Sequence, residues 1–468
     1  MSVKRKKRLL GIVGASALLS LTSCMAPQTV SQDALYKSSL NENFFKSKLA
    51  EVKKEIKKNP KILKNSSKPP KGLEWYLDAG SIARYAYDIP TSLKIWDFAD
   101  RQVNIYEQQL LMGKLAQNVA ALLINDYVKN YVPPIYERVF LNTYQAINYF
   151  SLSKPDSANI ELNRAIERLD KAKTIFAKEM EIKESNVEKQ KKKIANASFK
   201  QSSINQIEKA YSVLDQYKPY QDFANPFVYY LKGIYYYEIG DYANAKDMFK
   251  ITYGLIKGQE PATEQVNDDW VLANQGGDGK HYAWVIYLNG LTFRKVEKRF
   301  DIPVFLFSRD VLYVGIALPW LKEQPLTSKT LYVSNGRETK TTVRLVNMDR
   351  LVAWEFKQRL KPLIFQQIVK AVLQAVEQYT AKKTLGGWAQ LAVAVFNYAT
   401  NKADLRQWYW LPKEVQITRI EIHKGDKLTI KVPGHPKKVI PVNTDKDLII
   451  FIRGFKPQDE VLYYVGQI

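Results

Sequence analysis

The sequence predicts an α+β chain of more than one domain: an all-α array of helical hairpins, then a C-terminal α+β domain with a mainly antiparallel sheet. Three observations carry that reading. Apolar residues recur at intervals of three and four from residue 73 to about residue 260, the spacing that lines one face of a helix. After Pro261 the pattern shifts to short β-like runs punctuated by Asn289-Gly290 and Pro433-Gly434, dipeptides that favour turns. A second helical texture interrupts the strands at 350–382 and 388–401, and the order helices, strands, helices, strands marks α+β architectures.

Composition bounds what such a chain can do. Its 468 residues are enough for about three domains. With 46% hydrophobic, 12% aromatic and 25% charged residues it is globular, which excludes disordered, collagen-like and polytopic membrane classes. One cysteine, Cys24, excludes an internal disulfide, a cysteine-rich zinc module and an iron–sulfur cluster, and His281, His423 and His435 are the three imidazoles. Neither a metal nor a cofactor is expected. The net charge of +23 attracts phosphate polymers, anionic headgroups or acidic partners without choosing among them.

The amino terminus is more specific. Lys4, Arg5, Lys6, Lys7 and Arg8 form a positive segment, residues 9–21 an apolar stretch broken only by small side chains, and Leu21-Thr22-Ser23-Cys24 closes it. That order is a secretion signal. Residues 9–21 would cover about 20 Å as a helix, short of the ~30 Å hydrocarbon core. A leucine, two small residues and then a cysteine resemble the lipobox of bacterial lipoproteins. The resemblance implies cleavage between Ser23 and Cys24, a diacylglycerol on the Cys24 thiol and acylation of the new amino terminus. Acyl chains buried at about 0.8 kcal/mol per CH2 hold a protein to a bilayer nearly irreversibly. Met25 rather than Asp follows Cys24, which points to the outer membrane, with the body facing the periplasm. Residues 1–23 are thus read as signal peptide and 24–72 as a lipidated tether with one short helix, broken by Asn59-Pro60 and Pro69-Pro70. Its lysine run from Lys53 to Lys58 reads as a solvated face, with anionic headgroups as a weak alternative partner.

Within 73–260 a repeat emerges. Gly233, Tyr236, Gly240, Tyr242, Ala245 and Phe249 fall at offsets 0, 3, 7, 9, 12 and 16, which resembles the tetratricopeptide (TPR) consensus. A small residue at offset 0 lets the first helix approach its neighbour, and glycine at 7 ends that helix. Alanine at 12 brings the second helix close while aromatics fill the groove. The same offsets put Ala146, Tyr149, Ser153, Ala158 and Leu162 in register, and more loosely Gly80, Tyr87, Ile89, Ser92 and Trp96. A plain antiparallel pair with small residues at its crossing gives the same spacing, so both readings predict hairpins. Residues 170–200, with Lys189-Gln190-Lys191-Lys192-Lys193, read as a long charged helical hairpin.

Residues 261–468 form the α+β part. Strands are predicted at 281–288, 300–307, 311–318, 329–333 and 341–346, and after the two helices at 415–422, 427–432, 438–442 and 447–452. Gly386-Gly387 separates the helices, and the one from Trp388 is apolar nearly all round, which fits a buried core helix too short to span a bilayer.

Several phrases together carry a wider resemblance. They are Leu123-Ile124-Asn125-Asp126 with Tyr131 and Tyr136-Glu137, Tyr144-Gln145-Ala146-Ile147-Asn148-Tyr149, and Trp284-Val285-Ile286-Tyr287-Leu288-Asn289-Gly290. Asp301-Ile302-Pro303, Ile316-Ala317-Leu318-Pro319 and Ala403-Asp404-Leu405-Arg406-Gln407-Trp408 before Leu411-Pro412 complete the set. The chain resembles a family of uncharacterised Gram-negative outer-membrane lipoproteins with a TPR-like N-terminal half, over nearly the whole mature sequence. That resemblance implies location and architecture. The family has no established catalytic residue or ligand, so it implies no chemistry.

The residues themselves point away from an enzyme. No Gly-x-Ser-x-Gly elbow accompanies the histidines, and Cys24 is the lipidation site. The loop from Gln275 to Lys280 has glycines but neither Walker nor dinucleotide spacing. Asp268-Asp269 are adjacent, whereas glycosidases place their carboxylates ~5 to 9.5 Å apart on different elements. Asp404, Arg406 and Trp408 form a candidate pocket, either a ligand site with an Arg-on-Trp stack or, the favoured reading, a structural ion pair beside a tryptophan that plugs the core. An exported chain without a recognition motif does not meet nucleic acid. The expected function is that of a scaffold or assembly factor for an envelope protein partner, through a concave groove lined by Tyr144, Tyr229 and Tyr236. The alternative is a structural protein whose basic, aromatic surface meets peptidoglycan or an acidic polysaccharide.

Overall fold

The computed structural model describes residues 32–64, 71–113, 131–191, 197–199, 201–306, 310–385 and 402–468. Helices dominate the first half: α1 (Gln32–Lys37), α2 (Glu42–Lys58), α3 (Leu73–Tyr85), α4 (Ile89–Leu111), α5 (Ile135–Ser151) and α6 (Pro155–Lys191). After β1 (Ala197–Phe199) come α7 (Gln201–Ala210), α8 (Pro226–Glu238), α9 (Tyr242–Ile256) and α10 (Thr263–Asn274). Strands then take over as β2 (His281–Asn289), β3 (Arg294–Leu306), β4 (Asp310–Lys322), β5 (Tyr332–Ser334), β6 (Thr339–Thr341) and β7 (Val343–Asn347). The long α11 (Met348–Leu385) precedes β8 (Glu414–Ile422), β9 (Lys427–Lys431), β10 (Lys438–Pro441), β11 (Leu448–Gly454) and β12 (Leu462–Gln467). The fold is α+β. Among the described residues no helix is long and apolar enough to cross a membrane.

The pairs α3–α4, α5–α6 and α8–α9 are built alike. Each first helix ends on a left-handed residue, Tyr87 (φ 60°), Ser153 (φ 54°) or Gly240 (φ 76°). The next amide then reaches back: Asp88 to the Ala83 carbonyl, Lys154 to Tyr149 and Asp241 to Tyr236, each at 2.9 Å. This is the long bond of a Schellman cap. Asp88 and Asp241 next accept from the amides of Thr91 (3.1 Å) and Asn244 (3.2 Å) to start the second helices, while Pro155 opens α6, where a missing N–H costs nothing. Two crossings depend on glycine: a Cβ on Gly80 would lie 2.1 Å from Trp96, and one on Gly233 2.6 Å from Phe249.

The five-stranded sheet runs β12-β11-β2-β8-β7, with β2 parallel to β11 and antiparallel to β8. The other pairings are antiparallel, in the sheets β1-β3-β4 and β10-β9-β5-β6. Alternation along β2 sorts its side chains. Trp284, Ile286 and Leu288 join the hairpin helices in one apolar cluster that reaches from Leu35 to Tyr464. Ala283, Val285 and Tyr287 face the second sheet through Val333, Leu428 and Ile430. The hairpins and the central sheet therefore share a core.

Two segments differ from their sequence-based reading. Residues 35–63, expected to be tether, belong to the folded body. Phe45, Leu49 and Val52 form the buried face of α2, with the Phe45 ring 5.2 Å from Tyr85, 5.5 Å from Trp410 and 5.4 Å from Phe455. The Leu40 amide donates to Asp459 at 3.0 Å, and Lys456 donates to the Ser38 carbonyl at 2.6 Å. A three-residue apolar stripe among lysines was enough to fold it down. Where a charged hairpin was expected at 170–200, residues 170–191 are instead the end of the continuous α6, which contains no glycine and no proline after Pro155. Ser23, Cys24, the Leu123 phrase and the helix predicted from Trp388 lie outside the described residues.

Candidate functional site

The densest cluster of perturbed side chains lies where residues 402–411 run between α3, α5 and the central sheet. Trp408 donates its indole N–H to Ser81 Oγ at 2.8 Å and its amide to Glu137 at 2.9 Å. Its ring packs 5.7 Å from Trp96 and 5.5 Å from Tyr144. The Trp410 carbonyl accepts from Tyr144 (3.2 Å) and Tyr85 (3.3 Å). Asp404 and Arg406 form an ion pair at 2.7 Å. Arg406 lies 5.7 Å from the Tyr131 ring. The ion pair and the core plug are both present.

Around that plug sit three buried acids. Glu74, Asp78 and Glu137 are 6%, 1% and 0% exposed, so the cluster is closed rather than a cleft. Burial pushes Glu137 up to about 7, against the Trp408 amide and the Tyr131 hydroxyl that favour its charged form. Burial likewise raises Glu74, and holds Asp78 well above the usual carboxylate range, with Glu74 and Glu137 adding to it. The Trp410 indole N–H faces Asp78 and favours its ionised form, although the geometry falls short of a full hydrogen bond. Lys295, whose Nζ donates to the Arg406 carbonyl at 2.9 Å, is lowered by burial. The contrast is Glu179: burial pushes it up too, but Arg138 and Arg359 outweigh that and bring it to about 2. Burial raises these three acids, whereas two guanidinium groups beside Glu179 reverse the effect.

A second cluster comes from residues far apart in sequence. Glu238, at the end of α8, accepts from the Trp284 indole at 2.7 Å, and the neighbouring Asp447 adds to the burial that raises its carboxyl. Asp447 faces His281 Nδ1 at 3.0 Å. Sequence reading singled out neither acid, because nothing in their local patterns marks them. The Asp268-Asp269 pair is split: Asp268 is exposed, whereas Asp269 is buried against Arg419 (2.9 Å) and the Tyr230 hydroxyl (2.9 Å).

Of the three tyrosines expected to line a groove, one is taken up by the chain itself. Tyr144 is fully buried under Trp408 and Trp410, so it contacts no outside partner. Tyr236 is half-buried with Lys232 4.6 Å from its ring, and Tyr229 is half-buried. Ala146, Ala158, Gly233, Ala245 and Phe249 pack at the crossings, Tyr149 is half-buried and Tyr242 packs on Tyr237 at 5.4 Å.

Among the described residues no group of three His, Cys, Asp or Glu side chains is placed to hold a metal ion. No protein-family model, curated protein or solved structure matches the chain.

Proposed function

We propose that the chain is a lipid-anchored envelope protein on the periplasmic side of the outer membrane, acting as an interaction scaffold through TPR-like hairpins. One observation carries the proposal. α1 begins at Gln32, eight residues after Cys24, and eight residues reach at most about 29 Å. A lipid on Cys24 would hold the body against the bilayer, where a partner in the same membrane is within reach.

The shared caps and glycine crossings support the repeat reading. With α3, α5 and α8 almost wholly buried, partner contact falls to the second helices of the pairs and to α10. On α9 the buried positions are only Ala245, Phe249, Thr252, Leu255 and Ile256. Palmitate labelling and fractionation of cells carrying the wild type or Cys24→Ala test the anchor, and crosslinking through a C-terminal tag tests the scaffold. Label and membrane attachment are expected in the wild type alone, with one dominant protein partner lost in the variant. Attachment unchanged in Cys24→Ala overturns the anchor, and crosslinks to no protein above background overturn the scaffold.

A further inference from the structure

The outer groove between α9 and α10 carries lysines that make no ion pair with a described residue. Lys246, Lys250 and Tyr253 recur at four and three along α9, one stripe of a helix surface, and Lys257 follows at the helix's C-terminal cap. Across from them, Trp270, Val271 and Asn274 of α10 join Lys246 and Lys250 in lining a depression of about 270 Å³. Tyr253 and Trp270 lie 5.6 Å apart, and Lys257 Nζ is 5.4 Å from the Tyr253 ring. Elsewhere lysines pair with acids, as in Lys53–Asp88 (2.7 Å) and Lys280–Glu421 (2.6 Å). Lys246, Lys250 and Lys257 make no ion pair with a described residue, and neither Asp247 nor Asp268 lines the depression. Like charges four apart repel, so the stripe is a standing invitation to an anion.

We infer that this groove binds one carboxylate-bearing ring of an acidic glycan, with the sugar face on Trp270 and the carboxylate between Lys246 and Lys250. Pockets for whole small molecules run to about 300–1,000 Å³, so a smaller, open depression suits one ring of a longer chain. Trp270 offers an apolar platform, the two ammonium groups offer donors, and the Asn274 amide both donates to and accepts from hydroxyls. An extended acidic peptide is served less well. It relies on main-chain partners, and the amides of α9 and α10 are spent inside their own helices. The inference goes with the proposed export of the chain, since glycans of this kind lie outside the cytoplasm, but the groove itself does not depend on the lipid.

The test titrates the full chain, purified in detergent, with tri-galacturonate by calorimetry, beside neutral maltotriose and a hexaglutamate peptide. Tri-galacturonate is expected to bind, with affinity falling about tenfold or more in Lys246→Ala/Lys250→Ala and in Trp270→Ala. It should weaken as salt rises from about 50 to about 500 mM, and Lys246→Arg/Lys250→Arg should restore it. Circular dichroism checks that Trp270→Ala folds, and the lysine pair decides the matter if it does not. No binding, equal binding of maltotriose, preference for hexaglutamate, or affinity unchanged in the lysine variant overturns the site. Cys24→Ala should bind the sugar as the wild type does, so failure here and failure of the anchor are separate results.

Discussion

The Trp408 indole donates to the Ser81 hydroxyl at 2.8 Å across 327 residues of sequence. That bond places the run before β8 inside the first hairpin, where Trp408 also packs on Trp96 and Tyr144. In an open repeat array this inner face would await a partner. In this chain it is closed by the polypeptide's own C-terminal half, so the hairpins and the central sheet stabilise each other.

Trp408→Ala should therefore destabilise both halves together. Truncating a buried tryptophan costs about 3–5 kcal/mol, and Ser81→Ala, which leaves the indole N–H unpaired and also removes the bond that Ser81 donates to the Leu77 carbonyl, costs about 1–3 kcal/mol. Denaturant unfolding followed by far-UV dichroism and by tryptophan fluorescence checks this. Coincident transitions that move together are expected, and two separated transitions would show that the halves fold independently.

The crossing of α8 and α9 makes a second prediction. A Cβ on Gly233 would approach Phe249 to 2.6 Å, so Gly233→Ala should cost about 1–3 kcal/mol through overpacking. Phe249→Leu vacates the space, and the double variant should be more stable than the sum of the single losses allows. Strict additivity in denaturant titrations would mean that the two positions do not meet.

That pair also shows how far the sequence could be read. The sixteen-residue offset from Gly233 to Phe249 was legible because a small residue and an aromatic at that interval meet across a hairpin, and Gly80 meets Trp96 in the same way. The folding-down of α2 was hidden, since Phe45, Leu49 and Val52 stand among lysines and their partners Tyr85, Trp410 and Phe455 are remote. The parallel pairing of β2 with β11 was equally hidden, because periodicity specifies a strand but not its neighbour. Asp404, Arg406 and Trp408 were found by their spacing. Asp78 and Glu137, the acids that surround them, were not, because their burial is created by the tertiary fold.

Glu137→Gln should change how stability depends on pH. Burial raises the folded carboxyl from 4.5 to about 7, and at about 1.4 kcal/mol for each pH unit this amounts to roughly 3 kcal/mol. The sign follows from a raised acid: the contribution is complete below about 4.5 and is lost as pH climbs through about 7. Glutamine keeps an acceptor for the Trp408 amide and carries no proton to lose. The variant should lose less stability than the wild type between about pH 5 and pH 8, because the other raised acids titrate in both proteins. Parallel curves over that window would place the decline elsewhere.

Glu238 and Asp447 are buried carboxyl groups side by side, and a second charge beside the first disfavours its ionisation. Burial first, and then the charge of Asp447, hold Glu238 well above its ordinary range. Its stabilising effect is therefore present in acid and disappears as pH rises through the folded value. Glu238→Gln keeps both a donor for Asp447 and an acceptor for the Trp284 indole, while removing the second charge. It should match the wild type near pH 5 and exceed it near pH 9, measured as thermal midpoints at about those two values. Asp447→Asn separates this account from simple packing. It too removes the second charge, but it gives up the carboxylate that faces His281 at 3.0 Å, so it should be less stable than Glu238→Gln at both pH values. A Glu238→Gln protein weaker than the wild type at both pH values would mean that the two carboxyl groups do not repel each other in the folded chain.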